Sequence, residues 1–199
     1  MDLIQHHGDP FNPRRNTMKS LSHILLAIGL GTALSGHASD FKLTSPSLTA
    51  GTTMPVRHVL NGFGCQGENI SPALHWEAEP AGTQSFAITA YDPDAPTGSG
   101  WWHWVVYNLP ASTHDLPENA SRAPKLPAGS VEGRTDFGSS GYGGACPPAG
   151  DKPHRYIFTV HALKVPRIDL PADASAAMVG FMLNMNRLGS ATLQVPYHR

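Results

Sequence analysis

Tyr91-Asp-Pro-Asp-Ala-Pro96 and, a few residues on, Trp101-Trp-His-Trp-Val-Val-Tyr-Asn108 decide how this chain reads. The first closes an apolar run, Ser85-Phe-Ala-Ile-Thr-Ala-Tyr91, whose alternating β-forming residues predict a strand. That run ends in two carboxylates, Asp92 and Asp94, braced by Pro93 and Pro96. Each proline locks its own φ and restrains the residue before it, so the exit of the strand is set. A Gly/Ser/Thr loop then feeds a second strand-like run that carries His103 among three tryptophans. Side chains alternate faces along a strand. His103 is therefore expected to share a face with Trp101 and Val105, with Trp102 and Trp104 turned away. Charged and imidazole groups at the mouth of an aromatic-walled segment describe a pocket more readily than a packed core.

Outward from these runs, Arg155-Tyr-Ile-Phe-Thr-Val-His-Ala-Leu163 is the strongest strand signal. It is apolar on both faces, which predicts an interior position in a sheet. His154 precedes it and shares a face with Tyr156. Phe41–Ser45 and Thr192–Tyr197 read as shorter strands. Asp173 or Ser175 can cap a helix running to about Ala191, with apolar residues every three or four positions. Residues 46–84 and 110–153 are rich in turn formers. An irregular stretch as long as the second usually has a function. Several short strands, many turn signals and one late helix predict a mostly-β sandwich.

The 199 residues suit one domain, and 40% hydrophobic content is enough for a core. Residues 18–38 read as a signal peptide: Lys19 supplies the positive start, Ile24–Leu30 opens the apolar stretch, and Gly36-His-Ala38 is the small-x-small end. A buried N-terminal helix is the plainer alternative. The apolar run is too short for a membrane span, which needs roughly 20 residues. Residues 1–17 fit no signal and read as an upstream extension, with Met18 a second candidate start. The single domain is then 39–199, periplasmic or secreted. It holds 11 Lys and Arg against 13 Asp and Glu, a net charge of −2. That balance speaks against a nucleic-acid or anionic-membrane binder, which would carry a basic patch. Cys65 and Cys146 are the two cysteines, and an even count behind an export signal predicts a disulfide. Two free buried thiols are the alternative. Neither cysteine has the spacing of a metal site.

Four motifs stand in one order: Asp92-Pro-Asp-Ala-Pro96, Trp101-x-His103, Cys146-Pro-Pro148 and His154-Arg-Tyr156. In order and spacing they resemble the phosphatidylethanolamine-binding proteins, also called Raf kinase inhibitor-like proteins. Gly62-Phe-Gly-Cys65, Asn69-Ile-Ser-Pro72 and the Tyr197-His-Arg199 end resemble the bacterial branch. The resemblance runs from about Asp40 to the C-terminus. It implies a large antiparallel sheet packed on a smaller one, with peripheral and C-terminal helices. It also implies a small pocket for phosphate or a phospholipid headgroup, lined by Asp92, Asp94, His103, His154 and Tyr156. Backbone groups near Ala145 and Cys146 complete that pocket, and Trp101 and Pro147 form its rim. Gly141–Cys146 is flexible enough for backbone N–H groups to turn inward toward an anion. In eukaryotic members a C-terminal helix carries a tyrosine over the pocket; here Val179–Asn186 offers Phe181, methionines and asparagines instead.

Each residue also has a plainer reading. Asp92 and Asp94 suit an Asx-type turn. His103 and His161 suit structural histidines. The tryptophans suit packing. For function, a non-catalytic binding protein with a small anion pocket comes first, with no cofactor and no metal. A protein partner remains open, as does a homodimer. An inhibitor of a protease or other enzyme, acting through the pocket rim, is the second reading. Two histidines and a carboxylate are also the ingredients of a metal-dependent or acid–base hydrolase. No serine lies in a G-x-S-x-G setting, so nucleophilic catalysis is disfavoured.

Overall fold

The run Ser85–Asp92 forms strand β5 of a computed structural model that describes residues 40–121, 125–171 and 173–199. The predicted extension at 1–17 and signal peptide at 18–38 lie outside the described residues. Before β5 come β1 (Lys42–Thr44), β2 (Asn61–Gly62), β3 (Cys65–Gln66) and β4 (Leu74–Glu77). After it come β6 (Trp101–Pro110), β7 (Asp115–Leu116), β8 (Val131–Glu132), β9 (His154–Leu163), α1 (Ala176–Asn186) and β10 (Arg187–Tyr197).

Five strands form the large antiparallel sheet, in the order β10-β9-β5-β6-β8. A three-stranded sheet, β1-β4-β7, lies against its front face, and β2 and β3 pair separately. The architecture is the predicted mostly-β sandwich. Alternation builds its core. Phe86, Ile88 and Ala90 of β5, with Phe158 and Val160 of β9, meet Leu43, Leu74, Trp76 and Leu116 of the small sheet. Trp76 and Phe86 touch edge to face at 5.5 Å, a geometry favoured by the ring quadrupoles. The intervening residues of the large sheet, Ala87, Val105, Tyr107 and Leu163, face the other way. They bury the Ala176, Val179 and Leu183 face of α1. Among the described residues no helix is long and apolar enough to cross a membrane.

The predicted helix is shorter than its periodicity indicates. Ser175 caps it, its Oγ accepting from Met178 N at 3.2 Å. It ends at Asn186 rather than near Ala191, because Arg187–Tyr197 pairs along the whole of β9. The helix also packs on the back of the large sheet, so Val179–Asn186 does not take the place of a helix over the pocket.

Candidate functional site

Strand β6 departs from simple alternation. Ala90 and Tyr91 are adjacent on β5, yet they pair with Trp104 and Trp102 on β6. His103 is the extra residue, a β-bulge. Bulges re-aim a side chain and recur near functional sites. Trp102 packs toward α1, but Trp104 turns into the front core beside Tyr142. His103 therefore does not share a face with Val105, and Trp104 does not face away from it. Trp101 and His103 both face a cavity of about 160 Å³ at the end of the front core.

Asp92, His154 and Tyr156 line that cavity too, with Cys146 and Pro147 at its edge. Asp92 is the last residue of β5, and β9 runs antiparallel beside it, so the two strand ends meet. His154 Nδ1–H donates to Asp92 Oδ2 at 2.8 Å. Asp92 Oδ1 accepts from Asp94 N at 2.8 Å, closing the predicted Asx turn. The second ring nitrogen of His154 lies 3.4 Å from Asp151 Oδ2.

Asp94 and Ala145 do not line the cavity. Asp94 is held by Arg155, whose Nε and Nη2 donate to its two oxygens at 2.9 and 3.0 Å. That guanidinium holds the Asp94 carboxyl down to about 2. The two aspartates thus join one loop to the start of β9, Asp92 through His154 and Asp94 through Arg155. Ala145 is 1% exposed and belongs to the front core.

The glycine loop is a support rather than an open nest. Tyr142 N donates to Ser121 Oγ, Gly143 N to His103 O and Gly144 N to Asn69 Oδ1, at 2.6, 2.9 and 2.7 Å. Those three N–H groups are already used, whereas the N–H of Cys146, one of the two positions expected to complete the pocket, lies toward the Tyr156 hydroxyl. Gly143 O in turn accepts from His103 Nδ1–H at 2.8 Å. This leaves Nε2 as the nitrogen of His103 without a role in holding the ring. A Cβ on Gly143 would lie 2.2 Å from the Phe137 ring, so the close approach requires glycine.

Burial lowers the pKa of His103, against the pull of the Gly143 carbonyl and of Asp92. Burial, and then the Asp92 charge, raise that of Tyr156. The Tyr156 hydroxyl is buried without a hydrogen bond of good geometry in the protein. The Cys146 N–H and the Asp92 carboxylate nevertheless lie near enough to act on its ionisation, the first lowering and the second raising it.

Two aromatic cavity residues were missed in the sequence, Phe63 and Phe137, besides Ala95, Pro96, Thr97 and Pro148. Their rings stack at 5.8 Å, and Phe137 also meets Trp101 edge-on at 5.4 Å. Phe63 lies in the Gly62–Cys65 stretch and holds φ at +52°, a conformation costly for a bulky residue. It is 72% exposed. The Cys65–Cys146 disulfide forms as predicted and ties this loop to the cavity edge. Arg199 reinforces the tie, its Nε donating to Pro147 O at 2.7 Å. Among the described residues no three His, Cys, Asp or Glu side chains converge to hold a metal. A metal at His103 and His154 would have to compete with the Gly143, Asp92 and Asp151 contacts.

The sequence profile described as phosphatidylethanolamine-binding protein matches residues 44–198. YbcL of Escherichia coli is 52% identical over 165 residues, covering 82% of this chain and 90% of its own. YbhB of the same organism is 57% identical over 153 residues, covering 76% and 96%. The crystal structure of Escherichia coli YbcL, described as a member of the mammalian family, superposes with a TM-score of 0.79. It covers 81% of this chain and 99% of that one at 52% identity. A Chlamydia trachomatis homologue superposes at 0.67 with 29% identity, covering 80% and 97%.

Proposed function

Because this chain belongs to the phosphatidylethanolamine-binding protein family, we propose that it is a non-catalytic binding protein whose cavity takes a phosphate-type anion. A phospholipid headgroup or a free phosphoester would supply the same chemistry. The Tyr156 ring, which lines this cavity 5.1 Å from the His103 ring, carries the reading. Beside it His103, anchored through Nδ1, keeps Nε2 to meet a ligand oxygen. Asp92 opposes an anion by its charge, but it is engaged twice, by His154 and by the Asp94 N–H. Its work in this reading is to hold His154 and the loop.

His103 is neutral at pH 8, since burial lowers its pKa below the ordinary value of ~6.5. It becomes a cationic donor on acidification, and ligand affinity should rise as pH falls. The probe is glycerophosphoethanolamine, a phosphodiester; a monoester would change its own charge near pH ~6. Calorimetric titration at pH 5 and 8 should show tighter binding at pH 5. His103→Ala should weaken binding at pH 5 by roughly ten- to a hundredfold, the loss of a charge-assisted hydrogen bond. Tyr156→Phe should weaken it about fivefold, the value of a neutral hydrogen bond. It should cost at most about 1 kcal/mol of stability, since the hydroxyl's contacts with the Cys146 N–H and Asp92 are not of full hydrogen-bond geometry. Equal affinity at both pH values, or indifference to both substitutions, would sink the reading.

The rim supports a second role. Exposed Phe63, stacked on Phe137, offers an aromatic anchor to a protein partner such as an enzyme to be inhibited. We also assign the protein to the cell envelope or its exterior. The Cys65–Cys146 bridge supports that assignment, because disulfides persist in oxidising compartments.

A further inference from the structure

The cavity at the end of the front core is graded from polar to aromatic. Its polar side chains, Asp92, His103, His154 and Tyr156, are buried. Its outer wall holds Phe63, Trp101 and Phe137, which are exposed or half-buried. Phe137 joins the two zones. Its ring lies 5.4 Å from the ring of His103 and 5.4 Å from that of Trp101, and it stacks on Phe63. A group that extends outward from an oxygen on His103 is therefore within reach of these rings.

Charge and hydrogen bonding narrow what that group can be. Among the described residues no Lys or Arg lines the cavity, and Asp92 is its one carboxylate, engaged by His154 and the Asp94 N–H. Arg199 approaches the edge but donates to Pro147 O and Phe63 O. A buried charge is costly unless it is paired, so a ligand that carries its own counter-charge suits this wall. The carbonyls of Phe63, Ala95, Pro147 and Pro148 all accept bonds from within the chain. A primary ammonium brings three N–H donors, each of which needs an acceptor. A quaternary ammonium brings none, and it is attracted to aromatic faces.

We propose that the outer, aromatic part of this cavity is a quaternary-ammonium subsite, so that the preferred ligand is a zwitterionic phosphodiester of the phosphocholine type. With the phosphate on His103 and Tyr156, the trimethylammonium group meets Phe63, Trp101 and Phe137; the subsite thus depends on the anion reading above. A lipid headgroup and a free diester share this chemistry.

Calorimetric titration of the full chain at pH 5 compares three diesters of glycerol phosphate. These are the choline ester, the ethanolamine ester and the 3,3-dimethylbutyl ester, in which carbon replaces the choline nitrogen. The choline ester should bind roughly tenfold tighter than the ethanolamine ester, the value of a partly desolvated cation–π contact. It should also bind tighter than the dimethylbutyl ester, which has the shape without the positive charge. Phe63→Leu and Trp101→Leu keep apolar surface but remove a ring, and each should shrink the choline preference. Phe63 is 72% exposed, so its replacement spares the core. Co-sedimentation with dioleoylphosphatidylcholine vesicles separates the two sources. Vesicle binding displaced by the free choline ester marks a lipid headgroup, and binding of the free ester alone marks a soluble diester; either upholds the subsite. Equal affinity for the choline and ethanolamine esters would overturn the subsite and leave the anion site standing. So would a dimethylbutyl ester as tight as the choline ester, or a preference that both substitutions leave intact. No binding of any of the three would sink the anion reading, and the subsite with it.

Discussion

Asp94 shows how a residue that reads as part of a pocket can serve the frame around it. Its carboxylate faces Arg155, and its pKa is lowered to about 2. A carboxylate whose folded pKa is depressed contributes stability above its unfolded value of ~3.9, and loses it as pH falls through the folded value. Arg155 is half exposed, so solvent screening reduces the contribution to about 1 kcal/mol. Asp94→Asn should therefore lower unfolding free energy by about that amount at pH 7. The gap between wild type and variant should close between pH ~4 and ~2. Denaturant unfolding at a series of pH values measures both. A gap undiminished between pH 7 and pH 2 would mean that the turn, not the ion pair, carries the loss. Asp92, Trp101, His103, His154 and Tyr156 were legible because each sits in a short motif of distinctive chemistry. Phe63 and Phe137 were not. They come from turn-rich stretches without periodicity, and only the folded loops bring them to the rim.

At the scale of elements, the strands came through clearly where alternation was strong, as in β5 and β9. The end of α1 did not. Leu188 and Ala191 continue the three-to-four spacing of the helix, so local pattern favours more turns. Tertiary pairing with β9 overrides it, since ten β10 positions from Arg187 to Tyr197 find partners there. The start of the helix was legible because capping is local chemistry. Ser175→Ala should cost about 1 kcal/mol through loss of the bond to Met178 N. It should leave glycerophosphoethanolamine binding unchanged, because α1 lies on the sheet face opposite the cavity. Thermal unfolding and calorimetry on one sample separate the two effects. Loss of binding would place α1 in communication with the front cavity.

For the whole molecule, the bridge between Cys65 and Cys146 spans 81 positions and encloses β4 through β8. The chain-entropy relation gives a loop of that size at most ~4.5 kcal/mol of stabilisation. Intact mass and N-terminal sequencing of chain recovered from the periplasm should show a start at Ser39 and no free thiol. Reduction should then lower the unfolding midpoint. A start at Met1 or Met18, or two titratable thiols, would contradict the envelope assignment. The fold was legible as a sandwich because its two layers follow from alternation, but the bulge at His103 was not, because an extra residue leaves no mark in a run of aromatics. That bulge makes β6 a strand of changing parity. Odd numbers look into the front cavity at Trp101 and His103; even numbers look into the front core at Trp104 and Val106. Length and phase are therefore coupled. Deleting His103 would return 101–106 to plain alternation, keeping Trp101 and Trp104 on the front while the imidazole leaves the cavity; deleting Val105, past the bulge, would instead turn Val106 out of the front core.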